Sequence, residues 1–210
     1  MEKVHVLDNN LLRHKIVELR SVDTKPSRFR QLAKEIAMME TYEALRDWEN
    51  EIVEVTTPME TYTDRRIDEE RICIVPILRA GLGMEEGSTV FLPNAHVGHI
   101  GMKRDEITHQ AIPYYANFPK GIADMKVIIL DPMLATGGSA IDAIEQMKAM
   151  GVNDITFLCI IAAPEGVKTV NEKFPEVPIY IGSLDRELNE NAYILPGLGD
   201  AGDRVFNTVG

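Results

Sequence analysis

The sequence is short of several features that mark whole classes of protein. It holds two cysteines, Cys73 and Cys159, too few for a disulfide framework. Each sits inside an apolar run, ICIVPI and FLCIIAA, where a thiol behaves as a small buried hydrophobe. No stretch approaches the roughly 20 apolar residues of a membrane helix, and the charged opening MEKVHVLDNN does not read as a signal peptide, so a soluble, cytoplasmic protein is expected. Positive charge is scarce as well: 22 Lys and Arg stand against 33 Asp and Glu, a net charge of -11. Such a field repels nucleic acid and anionic membranes, so an anionic substrate has to be gripped by a local positive site. The histidines at 5, 14, 96, 99 and 109 show no strong metal spacing, His96 and His99 forming only an H-x-x-H pair. There is no P-loop lysine, no G-x-G-x-x-G, no nucleophile triad and no internal repeat.

What is present suits one α/β domain spanning residues 1–210, since 45% of the chain is hydrophobic. Apolar runs at Ile72 to Leu78, Val127 to Leu130 and Ile155 to Ala162, with a shorter one at Ile179 to Ile181, alternate with helical segments at Ser139 to Met150 and Glu165 to Phe174. Continuously apolar strands are buried on both faces, so a parallel sheet flanked by helices is predicted, with ligands at the carboxyl ends of its strands. Ahead of it, Leu12, Ile16 and Leu19 mark one amphipathic helix, and Phe29, Leu32, Ile36 and Met39 mark a second that starts from Ser27 as N-cap. Residues 61–71 read only as a polar stretch. Residues 95–116 alternate weakly around a charged centre, as a two-stranded flap would.

Two motifs carry phosphate chemistry in their residue types. In VIILDPMLATGGS a buried strand ends at Asp131, and a short loop of Pro132, Met133, Leu134, Ala135, Thr136, Gly137, Gly138 and Ser139 opens a helix. Amides at a helix N-terminus attract a phosphate dianion, glycines let the main chain come close, and the two hydroxyls add donors. The Asp131 carboxylate, one loop away, could accept from sugar hydroxyls. In VPILRAGLGM another buried strand ends at Arg79, a position costly for a guanidinium unless it meets an anion. Gly81 and Gly83 would let that loop approach.

Taken with GMKRDE at Gly101 to Glu106 and YILPGLGDAGDR at Tyr193 to Arg204, these motifs resemble, in the correct order and over essentially the whole chain, the uracil phosphoribosyltransferases. The uracil branch has Pro132 where most relatives carry a second acid. The resemblance implies a phosphoribosyltransferase type I-like fold, with a small hood from the terminal segments and a β flap. Residues 9–50 and 182–210 would contribute to dimer contacts and to the hood. The implied reaction joins uracil to phosphoribosyl pyrophosphate (PRPP), giving UMP and diphosphate in pyrimidine salvage. PRPP would be bound by Arg79, Arg104, the loop from Asp131 to Ser139, and Asp200, with Arg79, Arg104 and Asp131 stabilising charge. Arg104 would close over the pyrophosphate; Lys103 stands where many relatives carry an aromatic residue. Uracil would be read by main-chain groups of Ile194, Gly199, Asp200 and Ala201. Mg²⁺ is the implied cofactor, carried on PRPP with no direct protein ligand assigned. A homodimer or higher homo-oligomer is expected, and a GTP effector is among the implied partners because some family members respond to it. The alternative is a non-catalytic regulator of the same fold that senses nucleotides or binds RNA. It calls for a basic face or eroded loops, whereas this chain is acidic and its loops are whole.

Overall fold

A computed structural model of the chain describes residues 3–104 and 111–208, and the side chains of all of these except 102–104 and 111–113. In chain order its elements are β1 (Val4–Val6), α1 (Asn10–Arg20), α2 (Pro26–Ala44), β2 (Glu51–Thr56), β3 (Thr61–Arg66), β4 (Ile72–Leu78), α3 (Leu82–Phe91), β5 (His96–Val97), β6 (His99–Arg104) and β7 (Ala111–Asn117). There follow β8 (Lys126–Leu130), β9 (Met133–Leu134), α4 (Gly138–Ala149), β10 (Asp154–Ala162), α5 (Pro164–Lys173), β11 (Ile179–Leu184), β12 (Glu187–Leu188), β13 (Ile194–Leu195) and α6 (Ala201–Phe206).

The main sheet runs β1-β11-β10-β8-β4-β6-β7, with β5 added beside β4 and β9 beside β10. Every pairing in it is parallel except β6 with β7, so the flap is an antiparallel ribbon continuing one edge of the sheet. Alternate residues of the central strands enter two separate cores. Cys73, Val75, Val127, Ile129, Phe157 and Cys159 pack with Ala140, Ile144 and Met147 of α4 and Val167 and Val170 of α5. Ile72, Ile74, Ile128, Leu130, Leu158 and Ile160 pack with α1 and α2 through Leu12, Ile16, Phe29, Leu32 and Ile36. Burial on both faces is the reason these strands read as unbroken apolar runs. Both cysteines are free and buried. Burial pushes the Cys73 thiol up to about 11 and the Cys159 thiol well above its ordinary value.

Pro76 lies inside a central strand, where a missing amide is normally excluded. Ile74 on the same edge accepts from the Gly98 amide at 2.9 Å, and the partner edge breaks there between β5 and β6. Pro76, two residues on, falls at that break and leaves no donor wanting.

Two expectations are corrected. Helix α2 starts at Pro26 with Lys25 as its cap, not at Ser27, because proline's fixed φ and absent N–H suit the first helical position. Of the stretch read only as polar, Thr61 to Arg66 form β3, one half of an antiparallel ribbon with β2. No described helix is long and apolar enough to cross a membrane.

Candidate active site

The Asp131 loop is built where β8 runs out. Asp131 N–H donates to Leu158 O at 3.2 Å, and Pro132 O and Leu134 O accept from the Ile161 and Ala163 amides at 3.0 and 2.9 Å, so the first half of the loop is laced to β10. Gly137 then takes a left-handed φ of +90° and α4 begins without a side-chain cap. The Gly138 amide donates to Thr136 Oγ1 at 3.5 Å, and among the described residues no side chain caps the amides that follow in this 12-residue helix, which leaves them to an anion. Thr136 and Gly138 are exposed, with Ser139 half-buried beside them. From the opposite side the loop rests on α5. A Cβ at Gly166 would stand 2.2 Å from Ala135 O and 3.0 Å from Leu134 O, so only glycine permits this approach.

Asp131 is half-buried. Burial raises its carboxyl to about 7 from the usual 3.8, opposed only by the Met133 amide, which donates to Oδ1 at 3.3 Å. At neutral pH this group is thus poised between acid and carboxylate, and donors supplied by a ligand would drive it to the charged form.

The Arg79 turn stands between the Asp131 loop and the C-terminal bend. A Cβ on Gly81 would lie 2.5 Å from Leu130 O, at the end of β8, and a Cβ on Gly202 of α6 would lie 3.9 Å from Ala80 Cβ. A Cβ on Gly83, proposed from the sequence as another point of close approach, would stand 3.0 Å from the Val205 side chain, so this glycine lets α3 and α6 pack closely. The Leu78–Arg79 peptide is cis. The Arg79 side chain is 55% exposed, and among the described residues it is held by Asp203 at 3.6 Å and by the Phe206 ring 5.6 Å from its guanidinium carbon. A cation so loosely engaged is free to take an incoming anion.

At the C-terminal bend, Gly199 and Asp200 are exposed, whereas Ile194 and Ala201 are buried. Strand β12 and its turn take the carbonyls of Tyr193 and Leu195, so the main chain of Ile194 turns the other way, against Gly197. One oxygen of Asp200 caps α6 by accepting from the Asp203 amide at 2.9 Å. The bend borders a cleft of about 420 Å³ lined by Arg20, Val22, residues 196–200, Asp203 and Arg204. A larger cavity of about 900 Å³, between β1, α1 and α2, contains none of the motif residues.

Arg79, Asp131 and the bend at Asp200 and Ala201 are thus brought to one end of β4 and β8. Arg104 ends β6, next to β4 in the sheet, but its side chain, that of Lys103, and residues Asp105, Glu106 and His109 lie outside the described residues. Sequence reading gave Gly166 no role of its own, and it missed the ion pair of Arg20 with Asp185 beside the bend, which leaves no local pattern.

The profile of the family described as uracil phosphoribosyltransferase matches residues 6–208. A protein of Agathobacter rectalis named uracil phosphoribosyltransferase is 52% identical over 208 residues, covering 99% of this chain and 100% of the relative. A solved structure from Aquifex aeolicus superposes with a TM-score of 0.94 at 41% identity, covering 98% of each chain. An adenine phosphoribosyltransferase of Trypanosoma brucei, at 14% identity and a TM-score of 0.56 over 95% of this chain and 89% of its own, shares the fold alone.

Proposed function

The chain belongs to the uracil phosphoribosyltransferase family, and from that premise we propose how its own residues divide the transfer of uracil to PRPP. The enzyme is a pentosyltransferase that forms UMP and diphosphate. In the reaction the bond from the anomeric carbon to the pyrophosphate oxygen breaks, a bond to N1 of uracil forms, and the N1 proton leaves. Positive charge grows on the sugar while negative charge grows on the departing pyrophosphate, so placement and electrostatics do most of the work.

The amides opening α4, with Thr136 and Ser139, hold the 5-phosphate, and Asp131 accepts from the ribose hydroxyls. Arg79 takes charge on the leaving pyrophosphate. Arg104 is proposed as the second such cation, brought over the site by the β6–β7 ribbon to stabilise charge late and shed water. Ile194, Gly199, Asp200 and Ala201 present main-chain donors and acceptors to O2, N3–H and O4 of uracil, a pattern that cytosine would mismatch.

Among the described residues no three His, Cys, Asp or Glu side chains gather into a metal cage; the site carries the carboxylates of Asp131, Asp200 and Asp203, the last 3.6 Å from Arg79. Asp131 and Asp200 would be the residues to stand beside Mg²⁺ brought in with PRPP. Bound there, the ion would supply neutralising charge on the pyrophosphate.

We also read the chain as a homo-oligomer. The β2–β3 ribbon exposes Ile52, Val55 and Tyr62, and α1 and α2 expose Leu11, Val17 and Tyr42. These apolar side chains suit contact with a second copy.

The observation that carries the reading is the meeting of three motifs, remote in sequence, through Gly81 against Leu130 O and Gly202 against Ala80. The test is UMP formation from uracil and PRPP, with and without Mg²⁺. Activity should require the metal, give no product with cytosine or hypoxanthine, and fall by about 10² in Arg79→Ala or Arg104→Ala through loss of one preorganised donor set. Equal use of a purine, or near-normal turnover in both variants, would refute the assignment.

A further inference from the structure

A bend that reads a base with its own main chain must be immobile, because a flexible loop loses ordering entropy on each binding event and tolerates the wrong hydrogen-bond pattern. The C-terminal bend is followed by a helix of only 6 residues, and the ribbon leading into it, β12 with β13, pairs just two residues a side. Regular structure alone does not fix it.

Behind the bend lies a buried polar cluster. Arg20, the last residue of α1, donates to Asp185 Oδ2 from Nη1 at 2.7 Å and to Asp185 Oδ1 from Nη2. The same Nη1 donates to Gly197 O at 2.7 Å, and Nη2 reaches Ser183 Oγ at 3.1 Å. Asp185 Oδ2 in turn accepts from Gly197 N–H at 2.9 Å. Both main-chain groups of Gly197 are therefore held by one ion pair, whose side chains are 2% (Asp185) and 19% (Arg20) exposed. A second arginine secures the next residue: Arg204 donates to Leu198 O at 2.8 Å and to Ser21 O at 2.6 Å, with its guanidinium carbon 4.5 Å from the centre of the Phe29 ring. Among the described residues, the main-chain groups of Gly199 take no such partner.

We propose that Arg20 and Asp185 are positioning residues for uracil recognition, fixing Gly197 so that the following main-chain groups stand at set angles to the base. This rests on the reading that the bend binds uracil. A paired buried charge contributes little to net stability, yet its fork geometry fixes one arrangement of the groups it holds. Arg20 is joined to Asp185 across 165 positions of sequence, so base recognition depends on the docking of α1 against β11. Ser183 supports the pair as a neutral member, its hydroxyl 3.2 Å from Asp185 Oδ1.

The test is steady-state kinetics of the full chain, varying uracil and PRPP separately, on Arg20→Lys, Asp185→Asn, Ser183→Ala and Ala201→Leu. Lysine keeps the charge and loses the fork. We expect Arg20→Lys and Asp185→Asn to raise KM for uracil about tenfold or more, as loss of charge-assisted hydrogen bonds predicts, with KM for PRPP within about twofold of the parent on the same scale. Hydrogen exchange at the Gly197 amide should quicken in both. Should Asp185→Asn fail to fold, Arg20→Lys and the milder Ser183→Ala carry the comparison. An unchanged KM for uracil in Arg20→Lys, or parallel rises in both KM values, would overturn the positioning role. Ala201→Leu separates the two levels: if it leaves KM for uracil unchanged, the bend does not bind the base and both readings fall. If it raises that KM while Arg20→Lys does not, only the positioning role is lost.

Discussion

Asp131 shows how one side chain couples the fold to pH. Its folded value of about 7 lies above the ordinary 3.8, because burial disfavours the charged form. The folded protein thus binds more protons than the unfolded chain between those values. The stability contributed by the neutral acid is complete below pH 3.8 and is lost as pH rises through about 7. On the proposed role substrate hydroxyls need the carboxylate, so binding PRPP would draw the proton off. KM for PRPP, measured at saturating uracil, should fall about tenfold between pH 6 and pH 8. Asp131→Asn should bind PRPP more weakly and lose that part of the pH dependence. A variant retaining the parent's full pH profile would show that another group, such as the substrate's own phosphates, sets it. The candidate role of Asp131 was legible from its place at a strand end before a glycine loop. Its shifted proton affinity was not, because that depends on what the β10 segment brings beside it.

Among the elements, the loop after β8 works only because α5 comes close. Gly166→Ala would place a methyl 2.2 Å from Ala135 O, and backbone cannot yield as a side chain tip does. We expect the variant to lose about 1–3 kcal/mol of stability through overpacking and to bind PRPP less well, with KM for uracil nearly unchanged. Thermal melts and separate substrate titrations would check this; a normal melting temperature with normal PRPP kinetics would show that α5 shifts freely. The strands β4, β8 and β10 were legible because burial on both faces writes an unbroken apolar run. Strand β1 has three residues and borrows its partner from β11, too little for any period to show. The ribbon β2–β3 is exposed along β3 and over most of β2, so no alternation marks it.

For the whole molecule, the core beneath α1 and α2 contains a liability. Glu40 of α2 is fully buried. Among the described residues neither of its carboxyl oxygens has a hydrogen-bond partner of normal geometry, and burial holds it well above the ordinary 4.5, opposed by the Gly182 backbone. Burial thus favours its neutral form in the fold. Its favourable contribution is therefore complete below pH 4.5 and declines as pH rises toward its raised folded value. Glu40→Met, which fills the same space without a polar group, should stabilise the protein by about 1–3 kcal/mol. The gain should widen between pH 6 and pH 9 in denaturant or thermal unfolding. A constant difference across that range would mean that Glu40 is not protonated in the folded state.

The sequence by itself determined the α/β class and marked the candidate phosphate-binding residues, since both are written in neighbouring residues: apolar runs, a strand-end acid or arginine, glycines opening a helix. The tertiary structure alone decided the strand order, the support of the Asp131 loop by Gly166, and the union of Arg20 with Asp185 behind the C-terminal bend. Those contacts join groups far apart along the chain. A hydrogen bond or a close approach between remote residues imposes no period and no spacing on the sequence that encodes it.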